Sequence, residues 1–175
     1  MTDHTALFEA IDTLTENGKL RRLAGAFTRF VATLGHAPPP LLLACLLLSE
    51  LEGRGHSCLV LAELAGDPSP QLGWLDGEWA ALRGAAARGA GVLPKSANGW
   101  RKALHDCEQV WSVGALDFNQ PLVLDGERLY LRRYWRDEAT VAASVRSRAQ
   151  ARHDVDTAAV RGWLDKLFQH PVRDG

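Results

Sequence analysis

The sequence predicts a mainly helical α+β domain with a small antiparallel β-hairpin sheet at about residues 110–133 and two C-terminal helices. Three observations support this fold class. Apolar residues recur every three or four positions through the N-terminal half, a period typical of amphipathic helices. The period changes to alternation in "PLVLDGERLYLRRYW", on both sides of Asp125-Gly126, a strong hairpin-turn signal. Helical spacing then returns near the end of the sequence.

Two amphipathic helices are predicted first, and glycines Gly18 and Gly35 can end them. Their apolar positions are Leu7, Phe8, Ile11 and Leu14 in the first helix, and Leu20, Leu23, Phe27, Phe30, Val31 and Leu34 in the second. After "APPP", a third helix is predicted from Leu41 to Glu52, with Pro40 in its opening turn, where proline is tolerated. Because this helix is apolar nearly all round, we expect it at the centre of the core.

Shorter elements are predicted between this helix and the hairpin. They are a helical turn in "LVLAELAG", a helix containing Trp74, Leu75, Trp79 and Leu82, a short helix containing Trp100, Leu104 and Cys107, and a short strand in "VWSVG". After the hairpin, helices are predicted from Glu138 to about Arg148 and from Thr157 to Phe168. Asp156 can cap the last helix, and Val155 can pack on Val160 as a hydrophobic staple.

Composition narrows the class of protein without naming a function. The 175 residues fit one domain, or one domain with a small appendage, and the net charge of −1 indicates neither a nucleic-acid nor a membrane partner. The longest apolar run, "LLLACLLL", is far shorter than the roughly 20 residues that cross a bilayer. Three cysteines without a C-x-x-C pair favour buried thiols in a reducing compartment. The N-terminus, "MTDHTALFEA", is acidic and lacks the apolar h-region of a signal peptide. We therefore expect a cytoplasmic protein without a signal peptide.

The stretch "GAGVLPKS", Gly89 to Ser96, resembles a nucleotide-binding P-loop but has Pro94 where the second glycine belongs. A P-loop holds phosphates with successive backbone N–H groups, and proline has no N–H and a fixed φ. The stretch also follows an alanine-rich helical segment, whereas a P-loop follows a buried strand. We expect a surface loop here.

Other candidate chemistry is weak. His56 with Cys58, and His105 with Cys107, are isolated pairs, while structural zinc requires four ligands. No nucleophile turn of the G-x-S-x-G type is present. We therefore predict no catalytic, cofactor-binding or metal-ligating residue in this chain.

The segment from Arg128 to Arg152 is unusual because it holds seven arginines against two acids, with aromatic residues between them. Arginine beside Tyr and Trp suits phosphate contact and base stacking. It equally suits a protein interface. A third interpretation is that the aromatic rings fill the core and the arginines are solvated. Residues Arg132, Tyr134 and Trp135 are the candidates for partner contact.

Four stretches together resemble the N-terminal domain of RecD, the alpha subunit of exodeoxyribonuclease V (RecBCD). They are "LFEAIDTLTENGKLRRLAGAF" near the start, "GRGHSCLVLAEL" (Gly53 to Leu64), "PLVLDGERLYLRRYWRDEATVA" (Pro121 to Ala142) and "VDTAAVRGWLDKLF" (Val155 to Phe168). They occur in the order of that family and at similar spacing. The segment from Asp67 to Gly99 matches least.

The resemblance implies a subunit-docking domain at residues 1–153 and, at 154–175, a helix and connection leading toward helicase motor domains. The parent would be an ATP-dependent 5′-to-3′ DNA helicase subunit, with ATP and magnesium as cofactors and its P-loop beyond Gly175. The implied partners are RecC, RecB through the complex, and DNA through the motor domains, with no membrane. The implied processes are double-strand break resection, recombinational repair and degradation of linear DNA.

Two other functions compete with this one. The chain could be a free-standing DNA-binding module that uses the arginine-rich hairpin and helix at residues 128–152. It could also be a small enzyme with an unrecognised site, for which the sequence offers no convergent titratable groups.

Overall fold

The computed structural model of the protein describes residues 4–90, 92–150 and 156–168. Its helices are α1 Thr5–Glu16, α2 Arg22–Thr33, α3 Pro39–Glu52, α4 Leu61–Ala65, α5 Ser69–Leu72, α6 Glu78–Ala90, α7 Ala97–His105, α8 Arg132–Gln150 and α9 Thr157–Leu167. Its strands are β1 Cys58–Val60, β2 Val110–Ser112, β3 Leu122–Asp125 and β4 Arg128–Leu131. The predicted class, α+β and mainly helical, is confirmed.

The chain divides into two compact units, Met1–Glu138 and Ala139–Gly175. The first contains the sheet, helices α1 to α7 and the first turns of α8. The second contains the rest of α8 together with α9. The functional division predicted between residues 1–153 and 154–175 stays a prediction. Among the described residues, no helix is both long and apolar enough to span a bilayer.

Helix α3 is the centre of the first unit, as its composition predicts. Every residue from Leu41 to Leu51 is buried, on all sides of the helix. Helices α2, α6 and α7 and strands β1 and β4 all contact it. Pro39 occupies the first helical turn, where its missing N–H would have no partner in any case.

The sheet is larger than the predicted hairpin, and it is mixed. Its strand order is β1-β4-β3-β2. Strands β3 and β4 form the predicted antiparallel hairpin, with Asp125 opposite Arg128 and Gly126 at φ 58° in the turn. However, β2 runs parallel to β3, and β1 pairs with β4 through Cys58 and Tyr130. Three-residue strands carry too few positions to display a period, so the sequence predicted neither β1 nor the parallel pairing.

The hairpin ends earlier, and the next helix begins earlier, than predicted. Helix α8 begins at Arg132 rather than Glu138. Strand β3 starts at Leu122, which is opposite Leu131, so β4 has no strand partner beyond that pair. The Arg132 N–H instead donates to the Pro121 carbonyl at 2.9 Å, and the chain turns into a helix.

Helix α9 matches its prediction closely. It covers Thr157–Leu167, and the Asp156 carboxylate accepts hydrogen bonds from the N–H groups of Ala158 and Ala159. This is the expected N-cap. The staple that was predicted between Val155 and Val160 lies outside the described residues.

A buried carboxylate lies at the C-terminal end of the otherwise apolar α3. Glu50 is only 3 % exposed. Its Oε2 accepts the backbone N–H of Arg21 at 3.0 Å and lies 3.6 Å from the Arg21 guanidinium. Its Oε1 lies 3.3 Å from Arg54, which also donates to the Leu72 carbonyl at 2.9 Å. A buried charge is tolerated only when it is paired and hydrogen-bonded, so these contacts tie α2, α3 and α5 together.

Gly53 makes room for one of these cations. A Cβ atom at Gly53 would lie 1.8 Å from Cζ of Arg21. The Arg21 guanidinium also donates to the Ser49 carbonyl and to Glu52, so its position is determined by several partners. A side chain at position 53 would therefore displace Arg21 from Glu50.

We predict that Gly53→Ala lowers the free energy of unfolding by about 1.5–3 kcal/mol, the usual contribution of a hydrogen bond to a charged group. The expected loss exceeds the roughly 0.4–1 kcal/mol that an alanine gains by restricting the unfolded chain. Urea denaturation measures the change. The matched control is Gly84→Ala within α6, where an added Cβ meets no atom within 4 Å. This control should raise stability by about 0.5–1 kcal/mol. Equal stabilisation by both substitutions would contradict the proposed role of Gly53.

Candidate partner-binding surface

Arg132, the first of the three predicted contact residues, holds a loop in place. Its guanidinium makes a two-pronged ion pair with Asp117, with N–O distances of 2.7 and 2.8 Å. It also donates to the Gln120 carbonyl, and its Cζ lies 5.1 Å from the centroid of the Trp111 ring. The hydrogen bond from Arg132 lowers the pKa of Asp117. Arg132 therefore positions the loop at residues 113–121 between β2 and β3.

Tyr134, the second predicted residue, joins α8 to the end of α3. Its hydroxyl donates to Oε1 of Glu52 at 2.7 Å. The Arg133 guanidinium lies 4.6 Å from the Tyr134 ring centroid and 3.4 Å from the same carboxylate. The hydrogen bond from Tyr134 is the main cause that lowers the pKa of Glu52. The Tyr134 hydroxyl is thus occupied within the molecule, and only its ring is left for a partner.

Trp135, the third predicted residue, belongs to an aromatic pair. Its Nε1 donates to Asp125 at 3.0 Å, and its ring meets Trp111 edge to face, with centroids 5.1 Å apart. The structure therefore brings Arg132 and Trp135 together around Trp111, while Tyr134 contacts a different element. All three side chains are half-buried. Their role in binding a partner stays a prediction.

The remaining arginines of the segment 128–152 are exposed where the structure describes them. These are Arg128, Arg136, Arg146 and Arg148, while Arg152 lies outside the described residues. Arg132 and Arg133 are already paired with carboxylates. The segment is therefore less basic at its surface than its count of arginines suggested.

Helix α2 carries an exposed apolar strip, made of positions that the sequence assigned to the apolar face of this helix. The strip consists of Leu23, Phe30 and Leu34, which are 60 %, 55 % and 43 % exposed. Ala24, Thr28 and Val31 form the buried side instead. Positions 23, 30 and 34 share one face of a helix, at spacings of seven and four residues. The apolar arc of α2 is wider than the surface that α3 covers. The width of this arc is the feature of the sequence from which an exposed apolar strip could have been predicted.

Phe118 adds to this α2 strip from the neighbouring loop. It is 77 % exposed, and with Leu34 and Pro121 it lines a shallow cavity of about 460 Å³. Gln109 donates to the His36 carbonyl at 3.3 Å, which links the end of α2 to the start of β2. Because Arg132 holds Asp117, the residue before Phe118, it positions this ring beside the α2 strip.

Helix α9 presents a second set of exposed apolar side chains within its own unit. They are Val160, Trp163, Leu164 and Leu167, with Phe168 following. The sequence predicted this periodicity correctly, although these side chains are exposed rather than packed.

The P-loop-like stretch has a structural use at its end. The Ser96 hydroxyl accepts the Gly99 N–H at 3.1 Å and caps α7, while Leu93 is buried.

Cys45, Cys58 and Cys107 are free thiols, and burial raises the pKa of Cys107 to about 11. Across residues 4–90, 92–150 and 156–168, no three His, Cys, Asp or Glu side chains cluster as metal ligands.

Comparison with known proteins identifies one family. The family model described as "RecBCD enzyme subunit RecD, N-terminal domain" matches residues 16–130. This match covers more than half of the 175 residues, including α2 to α7 and almost the whole sheet. No curated protein matches the chain.

We predict that Tyr134→Phe raises the pKa of Glu52 toward its ordinary value of 4.5, because the hydroxyl that favours the ionised carboxylate is removed. A carboxyl-carbon NMR titration measures the change. Because the pKa of Glu52 is lowered in the folded state, ionisation of Glu52 stabilises the protein at pH values above the ordinary pKa. This stabilisation is lost as the pH falls through the pKa of the folded state. The variant should therefore lose less stability on acidification.

Trp135→Phe is the matched control for this titration. It removes a hydrogen bond from the same helical turn, yet Trp135 donates to Asp125 rather than to Glu52. We expect the pKa of Glu52 to be unchanged in this control. An unchanged Glu52 titration in Tyr134→Phe would show that the hydroxyl is not the cause.

Proposed function

Because the chain belongs to the family of RecD N-terminal domains, we propose that it is an assembly domain of a RecD-like subunit of exodeoxyribonuclease V. In this proposal it docks an ATP-dependent 5′-to-3′ helicase motor onto RecC, and onto RecB through the complex. The assembled enzyme resects double-strand breaks and degrades linear DNA. ATP and magnesium act in the motor domains of the parent protein, and DNA is bound there.

The observation that carries the docking proposal is the exposed apolar surface formed by the α2 strip and Phe118. Large apolar side chains on a protein surface mark binding sites when they are contiguous rather than scattered. Leu34 and Phe118 line one cavity, and Phe30 precedes Leu34 by one helical turn. A partner subunit that covers these apolar side chains would remove them from water, which is the main driving force of protein association.

One of the predicted contact residues, Arg132, holds part of this surface in position. Arg132 holds the loop that carries Phe118, through Asp117 and the Gln120 carbonyl. Tyr and Trp beside Arg are also the residue types that contribute most to interfaces. We therefore propose that Arg132, Tyr134 and Trp135 border the docking surface and that the α2 strip is its centre.

Binding of DNA through residues 128–152 is the competing function. The exposed arginines Arg146 and Arg148 favour it. The pairing of Arg132 and Arg133 with carboxylates counts against it, since paired guanidinium groups are less available to phosphates. A DNA-binding function of this kind would show an affinity that falls steeply with salt.

We predict that the double substitution Phe30→Asp and Leu34→Asp weakens binding of the 175-residue chain to purified RecC. The expected loss is at least roughly thirtyfold, which corresponds to about 2 kcal/mol for a central interface residue. The cause is burial of a charge in the apolar contact. Isothermal titration calorimetry measures the affinity, and circular dichroism confirms that the variant is folded.

Leu75→Asp is the control, because Leu75 is 65 % exposed and belongs to the segment between α5 and α6 rather than to α2. This control should bind RecC like the unmodified chain. If the α2 double variant binds equally well while Trp135→Ala does not, the centre of the interface lies on α8. If the unmodified chain does not bind RecC at all, the docking function itself is wrong.

A further inference from the structure

A second site lies on another part of the first unit, in a cleft between α7 and the sheet. The cleft has a volume of about 450 Å³. It is lined by Asn98, Arg101, Lys102 and His105 from α7, by Ser112 at the end of β2, and by Gly126 in the hairpin turn. Leu124 contributes an apolar wall. These residues belong neither to the proposed docking surface nor to the P-loop-like stretch at residues 89–96.

The four residues from α7 lie on one helical face. Positions 98, 101, 102 and 105 have the spacing i, i+3, i+4, i+7, which places side chains on the same side of a helix. Trp100 and Leu104 lie on the other side and are fully buried in the core. The amphipathic pattern of α7 therefore directs two permanent cations, an amide and an imidazole toward the cleft.

The charges of this face are not neutralised. Five other arginines of the described chain pair with carboxylates: Arg21, Arg29, Arg54, Arg132 and Arg133. Within the same described residues, neither Arg101 nor Lys102 forms an ion pair. Arg101 donates to the neutral Oδ1 of Asn98 at 2.9 Å, a contact that orients the guanidinium and leaves its charge uncompensated. Among the residues that the structure describes, no carboxylate lines the cleft.

Polar groups across the cleft complete a set of hydrogen-bond donors. Nδ1 of His105 and the Ser112 hydroxyl are hydrogen-bonded at 2.7 Å, which joins α7 to the edge strand. A guanidinium, an ammonium, an amide and a hydroxyl around one space match the several oxygens of a tetrahedral anion. Arginine suits such an anion because its fork can donate two parallel hydrogen bonds, and lysine adds a point charge.

We propose that this α7 cleft binds a phosphate group, supplied either by the backbone of a nucleic-acid strand or by a free nucleotide. Arg101 and Lys102 contribute the charge, and Asn98, His105 and Ser112 contribute polar contacts. The cleft opens to solvent at Arg101, Lys102 and His105, which are all exposed. Both a polymer that runs past the cleft and a small molecule that enters it have access.

The test compares two charge-matched double variants of the 175-residue chain. Arg101→Ala with Lys102→Ala removes the cations of the α7 cleft, and Arg146→Ala with Arg148→Ala removes two exposed arginines from the segment 128–152. All four positions are exposed helical ones, where alanine favours the helix. Thermal denaturation confirms that both variants fold. The probes are a fluorescein-labelled 15-nucleotide oligothymidylate, followed by anisotropy, and ADP or inorganic phosphate, followed by amide shifts in NMR spectra.

The expected result is that the α7 variant loses at least tenfold in affinity for a phosphate-bearing probe, while the 146/148 variant does not. If the probe is the oligonucleotide, the plot of log K against log salt should be less steep for the α7 variant. The magnitude of its negative slope should decrease by about 1.4, roughly 0.7 for each lost phosphate contact on a single strand. Tighter binding of the oligonucleotide than of ADP identifies a nucleic-acid strand, and the reverse identifies a nucleotide.

The proposal is overturned if no phosphate-bearing probe binds the unmodified chain at low salt. It is also overturned if the 146/148 variant loses the binding and the α7 variant keeps it. Either outcome is independent of RecC binding, because Arg101 and Lys102 do not line the cavity shared by Leu34 and Phe118.

Discussion

The need to pair the buried carboxylate of Glu50 is the constraint on which the rest of the structure depends. Glu50 lies near the end of a helix whose other buried residues are almost all apolar. Burying an ion costs several kcal/mol unless partners are close and well oriented. Arg21 reaches it from the start of α2, and Arg54 reaches it from the segment after α3 while also holding the end of α5. One charge therefore determines how three elements meet.

The same cluster extends to the surface through Glu52. This residue contacts Arg21 on one side and Arg133 and Tyr134 on the other, so the end of α3 is linked to the first turn of α8. That turn also carries Arg132, which holds the loop with Phe118. Ion pairs and hydrogen bonds thus connect the loop at residues 113–121 to the C-terminal end of the buried helix α3. An interface built on this loop is preorganised, which reduces the entropy lost on binding.

The pairing of charged side chains also distinguishes the α2 strip from the α7 cleft, the two surfaces for which functions are proposed. On α2 and in the first turn of α8, Arg29, Arg132 and Arg133 are paired with carboxylates, and the α2 strip beside them exposes large apolar side chains. Around α7 the reverse holds, since Arg101 and Lys102 have no acidic partner within the described residues. An apolar surface with satisfied polar groups suits a protein partner, while unpaired donors around a cleft suit an anion. The two proposals therefore concern different ligands and different faces of the first unit.

Sequence alone determined the helical class, the central place of α3, the Asp125-Gly126 hairpin, the Asp156 cap and the family resemblance. Each of these depends on local signals: a long apolar run, a turn dipeptide, a capping side chain or an ordered set of motifs. Tertiary structure decided the rest. Strand β1 and the parallel β2–β3 pair exist because distant segments supply hydrogen-bond partners, and three residues cannot display a period. Whether Leu23 and Phe30 face the core or solvent was decided by how much of α2 the neighbouring α3 covers. A sequence period gives the width of an apolar face, but only the packed neighbour determines which part of that face is buried.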